Sequence, residues 1–215
     1  MKHRAREIIG RLLAEIGVSV EPRQVEACAA LAEWLAPAAA KLGLTQFDTA
    51  EALAENLIGP GLYLLPHIGE ASCWLGEVGA GSGALGLSIA LLRPDVRVDV
   101  LDRRQRAWRF IGLTNKRFRI GNCRSMCVDM REVPEGEPKY DLIVARAVAP
   151  EEELFQYLPE WIVAEGRIAL LQTARRAAGN RQFCRLVHQM TNLAGLWLDI
   201  YGKSNGDGIA SPEYS

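Results

Sequence analysis

The segment Glu77-Val78-Gly79-Ala80-Gly81-Ser82-Gly83 constrains this chain more than any other. It follows an apolar run, Cys73 to Val78, that reads as a buried strand. It opens a second apolar run, Ala84 to Leu92, that reads as a helix halted by Arg93-Pro94. A strand that turns through glycines into a helix is the opening unit of a nucleotide-binding α/β sheet. The glycines permit the tight turn and let a ligand approach the backbone. The spacing also fits the dinucleotide pattern G-x-G-x-x-A at Gly79, Gly81 and Ala84.

The flanking rhythm extends the unit. Val96, Val98 and Val100 alternate into Leu101-Asp102, and Arg103 to about Phe118 reads as a helix with Ala107, Phe110 and Ile111 inward. Short strands are expected at about 125–128 and at Tyr140 to Ala145. A helix with an acidic first turn is expected from Glu151 to Leu158. A strand over Arg167 to Leu171, a helix over Arg175 to Thr191 and a last strand over Leu196 to Tyr201 complete the pattern. Strands alternating with helices imply an α/β fold with a doubly wound, Rossmann-like parallel sheet and right-handed crossovers.

Before the sheet come three helical patterns. The first carries Ile8, Ile9, Leu12, Leu13 and Ile16. The second spans Pro22 to Leu42, with a kink or break expected at Pro37. The third covers Thr49 to Ile58 and is expected to stop at Gly59-Pro60-Gly61. The chain therefore divides into an N-terminal helical extension (1–60), a Rossmann-like domain (61–201) and a mobile polar tail (202–215).

Asp102 ends the second strand, 23 residues after Gly79. A carboxylate there can accept two hydrogen bonds from a ribose diol; taken alone, it could equally cap the next helix. Three features favour S-adenosyl-L-methionine over a nicotinamide cofactor. Glu77 offers a carboxylate to a cationic aminoacid-sulfonium, the loop has an added glycine at 83, and no later substrate domain of the dehydrogenase kind is expected. Glu77 alone also reads as a strand-end residue bonded to loop amides.

Charge adds a second clue. The net charge is −1, yet residues 103–128 hold eight Lys/Arg and residues 166–198 hold five Arg, with no acid in either stretch. Local basic faces of this kind bind phosphate backbones, or else are solvated surfaces balanced by nearby acids. Five cysteines, odd in number and scattered, argue against a disulfide framework and for a reducing, cytoplasmic setting. Three dispersed histidines give no metal-site spacing, so no metal is expected. No apolar run is long enough to span a membrane, and no signal-peptide pattern opens the chain, so no membrane partner is expected.

Segment 74–172 resembles the 16S ribosomal RNA guanine-N7 methyltransferase family, also called glucose-inhibited division protein B. The likeness rests on Glu77 to Gly83, on Leu101-Asp102-Arg103 with Gln105-Arg106 and Phe110, on Tyr140-Asp141-Leu142-Ile143-Val144-Ala145-Arg146-Ala147-Val148-Ala149-Pro150, and on Glu165-Gly166-Arg167. The resemblance implies a class I S-adenosylmethionine-dependent methyltransferase sheet behind an N-terminal helical extension. Ribosomal RNA or the 30S subunit would be its partner. It implies cofactor contacts from Glu77, Gly79, Ala80, Gly81, Gly83, Asp102, Arg103, Asp129, Met130 and Arg146. Arg146 would sit at the methyl-transfer position, and Arg104, Arg106, Arg109 and Gln172 would meet substrate. For Arg146 the competing role is an ion pair with Glu151 or Glu152.

The sequence departs from the family pattern at Gly83-Ala84-Leu85-Gly86, Asp129-Met130-Arg131 and Gln172, and in the N-terminal signatures at Gly43-Leu44-Thr45 and Asn56-Leu57-Ile58-Gly59. No last sheet strand is evident after Tyr201. Methylation of a non-RNA substrate, non-catalytic cofactor binding and a nicotinamide-binding fold therefore stay open. Guanine N7 carries an in-plane lone pair and no proton, so transfer to it needs alignment and no general base.

Overall fold

A computed structural model describes residues 4–69, 73–132, 139–173, 182–191, 193 and 195–203. Seven strands form one sheet: β1 (Trp74–Val78), β2 (Arg97–Leu101), β3 (Cys123–Met126), β4 (Tyr140–Arg146), β5 (Ile162–Gln172), β6 (Phe183–Met190) and β7 (Trp197–Lys203). Their order is β3-β2-β1-β4-β5-β7-β6. The first five are mutually parallel, and β7 runs antiparallel to both of its neighbours. The order reverses beside β1, which pairs with β2 on one side and β4 on the other. A crevice opens at such a reversal, beyond the carboxyl ends of the strands.

Among the described residues seven α-helices flank the sheet: α1 (Arg4–Glu15), α2 (Pro22–Lys41), α3 (Ala50–Leu53), α4 (Gly59–Leu62), α5 (Ala84–Leu92), α6 (Gln105–Phe118) and α7 (Glu151–Tyr157). Helices α1 to α6 share an apolar cluster with Leu75, Val98, Leu142, Ala169 and Ile200 on one sheet face. On the other face Ile143, Ala145, Leu170 and Tyr201 pack with Leu154, Phe155 and Trp161. The N-terminal helices are joined to the sheet layer by polar contacts as well. Gln24 Nε2 donates to the carbonyls of Leu91 and Leu92 at 3.3 and 2.9 Å, and Trp34 Nε1 donates to Thr114 Oγ1 at 3.2 Å. No helix among the described residues is long and apolar enough to cross a membrane.

The structure corrects the sequence reading in four places. Helix α2 runs unbroken through Pro37. Pro37 and Glu33 both lie on the exposed face, so the carbonyl left without its usual donor is on the solvent side. Gly59-Pro60-Gly61 does not stop the third helix; a π turn, Ala54–Ile58, carries it into α4. These glycines serve close packing: a Cβ on Gly59 would lie 2.8 Å from Leu193 Cδ1, and one on Gly61 2.8 Å from Leu85 Cγ.

Residues 183–190 form strand β6 where a helix was expected over 175–191; residues 174–181 lie outside the described set. Phe183, Leu186, Val187 and Met190 have helical spacing. A register shift between Arg185 and Val187 breaks the two-residue alternation that would have marked a strand. The sheet consequently has its seventh strand, supplied by the β6–β7 hairpin. The expected tail begins inside β7, and residues 204–215 lie outside the described set.

Glycine replacements test the packing. Gly61→Ala is expected to lower unfolding stability by about 1–3 kcal/mol, because the buried Leu85 must shift. Gly10→Ala, whose Cβ meets nothing within 4 Å in α1, should raise it by up to about 1 kcal/mol. Denaturant unfolding of both variants checks the contrast, and equal effects would contradict the packing described.

Candidate functional site

The loop after β1 crosses the sheet reversal in left-handed backbone, with φ of 68° at Gly79, 59° at Gly81 and 74° at Gly83. Gly79 also lies under Val148, where an added Cβ would come within 2.4 Å of the side chain. Only glycine meets both demands. Across the reversal, the segment after β4 makes its own unusual turn: Ala147 has φ 48°, a conformation that costs a residue with a Cβ.

Between them lies a crevice of about 350 Å³. Gly79, Asp102, Arg103, Asp129 and Met130, five of the residues expected at the cofactor, line it together. The sequence reading did not assign its opposite wall, Ala147 to Pro150, nor Arg131 and Glu153. The last two form an ion pair at 2.8 Å. The signal for that wall was the Ala-Arg-Ala-Val-Ala-Pro run, which marked the family and assigned a role to Arg146 alone.

Asp102 is 3% exposed and fixes the crevice floor. Its Oδ2 accepts from the Gly81 amide at 2.8 Å, and its Oδ1 accepts from the Arg104 amide at 2.9 Å. The Arg104 guanidinium donates to both oxygens at 3.0 Å. Burial works to raise this carboxyl's pKa, but these bonds outweigh it and hold it below the ordinary aspartate range. Asp102 does not occupy the cap position of α6, which is Arg104. Arg104, expected among the substrate contacts, folds back onto Asp102 in the crevice. Arg106 and Arg109 remain exposed on α6, without ion pairs among the described residues. Trp108 is half-buried and donates to the Ser125 carbonyl at 3.2 Å.

Arg146 ends β4 beside the crevice. Its Nη1 is buried with no hydrogen-bond partner, and no ion pair with Glu151 or Glu152 forms. Burial lowers its pKa, and the neighbouring Glu77 works against that. Gln172 lies at the carboxyl end of β5, where Nε2 approaches Glu151 Oε2 and Asp199 Oδ2, each at 3.4 Å. Asp199 is fully buried and meets His188 Nδ1 at 2.6 Å. Among the described residues no three His, Cys, Asp or Glu side chains converge as metal ligands.

Glu77 lies beneath the loop, 6% exposed, with Oε2 accepting from the Gly86 amide at 2.8 Å. The approach is close enough that a Cβ on Gly86 would sit 2.6 Å from that oxygen. Burial pushes the Glu77 carboxyl up to about 8, against the pull of the Gly86 amide and Arg146. The folded chain then holds a proton that the unfolded chain releases. Stability from this group is complete below about 4.5 and is lost as pH rises towards about 8. Glu77→Gln is expected to flatten the decline in unfolding free energy across that window. Unchanged pH dependence in denaturant titrations would contradict the assignment.

Comparison with known proteins places the chain. Ribosomal RNA small subunit methyltransferase G of Acetivibrio thermocellus is 24% identical over 153 residues, covering 70% of this chain and 63% of that protein. The protein of the same name from Methylobacillus flagellatus is 31% identical over 104 residues, covering 48% and 49%. The chain thus spans less than two thirds of these relatives. Magnesium protoporphyrin IX methyltransferase (ChlM) from Synechocystis PCC 6803, solved with bound SAM, superposes with a TM-score of 0.52 at 18% identity. That superposition covers 67% of this chain and 76% of the other, and it shows the shared α/β fold. The model of the family described as rRNA small subunit methyltransferase G matches residues 24–196, and the chain belongs to that family.

Proposed function

We propose that this chain is an S-adenosylmethionine-dependent methyltransferase acting on guanine N7 of small-subunit ribosomal RNA. The observation that carries the reading is the crevice at the sheet reversal, where the glycine loop and the buried Asp102 face the segment that follows Arg146. The residues present fit such a cofactor. At Gly79, Gly81 and Gly83 the loop offers backbone free of Cβ atoms, and Asp102 offers acceptors for a ribose diol once the Arg104 guanidinium gives up its two bonds to them. Arg146 has a buried donor without a partner, suited to a carboxylate or a base oxygen.

S-adenosylmethionine bound there supplies an electrophilic methyl group, its sulfur keeping the bonding electrons. In this reading Asp102 holds the ribose, Arg103, Asp129 and Met130 border the adenine, and Gly79, Ala80, Gly81 and Gly83 shape the methionine end. Glu77 supports the loop from below through Gly86. Arg146 orients the groups that exchange the methyl. No residue needs to remove a proton, so alignment and exclusion of water are the chain's contributions. Arg106 and Arg109 supply phosphate contacts on the exposed face of α6. Gln172 borders the substrate side.

Calorimetric titration with S-adenosylmethionine and methyl transfer to 30S subunits test the reading. Asp102→Ala is expected to weaken cofactor binding about 10- to 100-fold, since it removes a charged acceptor. Arg104→Ala should strengthen it several-fold, because Arg104 competes for the same oxygens. The Arg106→Ala/Arg109→Ala pair should lower the salt slope of RNA binding by roughly 2. No cofactor binding, or no methyl accepted by any RNA, overturns the proposal.

A further inference from the structure

Arg146 also borders a second cavity, of about 400 Å³, between the N-terminal helices and the carboxyl end of β5. Arg11 of α1, Gln46 and Phe47 of the loop before α3, Glu55 and Asn56 of the π turn, and Thr173 just past β5 contribute polar and aromatic lining. These residues are far apart in sequence, and the cofactor reading uses none of them except Arg146.

We propose that this cavity is a guanine-base pocket in which Phe47 stacks on the base and the Glu55 carboxylate accepts from N1–H and the 2-amino group. The inference rests on the methyltransferase reading and adds how the base is chosen. Among the four RNA bases, only guanine presents two adjacent donors on its pairing edge, a match for the two oxygens of a carboxylate. Adenine would turn its N1 lone pair towards the same negative charge, so the contact selects by repulsion as well as attraction.

The side chains suit these roles. Glu55 is exposed into the cavity and makes no ion pair or hydrogen bond among the described residues. Asn56 spends its Nδ2 on the Ala52 carbonyl at 2.8 Å, leaving Oδ1 as a further acceptor. Phe47 packs against the main apolar cluster, which holds its ring in place. Arg11 carries no ion pair among the described residues and offers a cation to a phosphate. Arg146 Nη1, buried and unpartnered, can donate to O6, the acceptor beside N7.

The same contact acts on the reaction. As N7 accepts the methyl, its lone pair becomes the new N–C bond and the S–C bond breaks with its electrons on sulfur. No proton leaves, and the purine ring gains the positive charge that the sulfonium loses. A carboxylate on the N1–H edge stabilises that charge more than it stabilises the neutral base. The cationic ring also stacks more strongly on Phe47.

The test titrates the full chain with 7-methylguanosine monophosphate, GMP, IMP and AMP, following binding by NMR line shifts. IMP lacks the 2-amino group. Affinity is expected to fall in that order. Glu55→Gln should lower 7-methylguanosine monophosphate affinity about tenfold or more and collapse the GMP/IMP difference. Phe47→Ala should weaken all four nucleotides. In transfer assays on 30S subunits, Glu55→Gln should reduce kcat about tenfold with KM for RNA held within about twofold. If 30S subunits accept methyl while Glu55→Gln keeps both kcat and the GMP/IMP difference, the pocket is refuted and the methyltransferase reading stands. If nucleotide binding depends on Glu55 while no RNA accepts methyl, the pocket stands and that reading falls. Equal binding of all nucleotides without transfer refutes both.

Discussion

The site depends on one constraint, the left-handed backbone at Gly79, Gly81 and Gly83, three positions with no room for a side chain. Val148 presses on it from the segment after β4, the Leu44 carbonyl from the N-terminal region and Ile111 from α6. Asp102 fastens it to the end of β2 through the Gly81 amide. Four distant parts of the chain thus define one loop. Their positions are set by the two apolar clusters on the sheet faces. The crevice is a by-product of that convergence, which is why its walls come from residues 79, 102, 129 and 147 to 150.

Much of this arrangement was legible in the sequence, for a local reason. Strand, glycine loop, helix and strand-end acid lie within about thirty residues, so spacing alone orders them. What escaped was set by tertiary packing. A bulge gave β6 the spacing of a helix, and with it hid the seventh strand. Gly59 and Gly61 look like a stop signal, but their missing side chains admit Leu193 and Leu85. The second cavity draws Arg11, Phe47, Glu55 and Arg146 from four segments, and no periodicity relates them. Arg104 was grouped with its basic neighbours because only the fold shows its guanidinium turned onto Asp102.

The far end of the sheet shows how the chain accommodates charge around Gln172. Glu151 and Asp199 are both buried, and a neutral carboxamide lies between them. The partners of Asp199 come from β6, with His188 Nδ1 at 2.6 Å and the Arg185 guanidinium, the cation, at 3.6 Å. Burial raises the Glu151 pKa, and the hydroxyl of Tyr201 lies 3.4 Å from its Oε1. The hairpin that completes the sheet is therefore also its electrostatic counterweight.

The contacts of Gln24 with Leu91 and Leu92 carry a consequence for how the chain is made. During synthesis α1 to α4 emerge before α5, the element whose terminal carbonyls and apolar face they cover. Helices α1 to α4 already pack on one another, but the face that meets α5 stays uncovered until α5 is complete, about thirty residues after the end of α4. Long sequence separation of this kind slows folding. The nascent N-terminal helices thus carry an uncovered apolar face until α5 joins them.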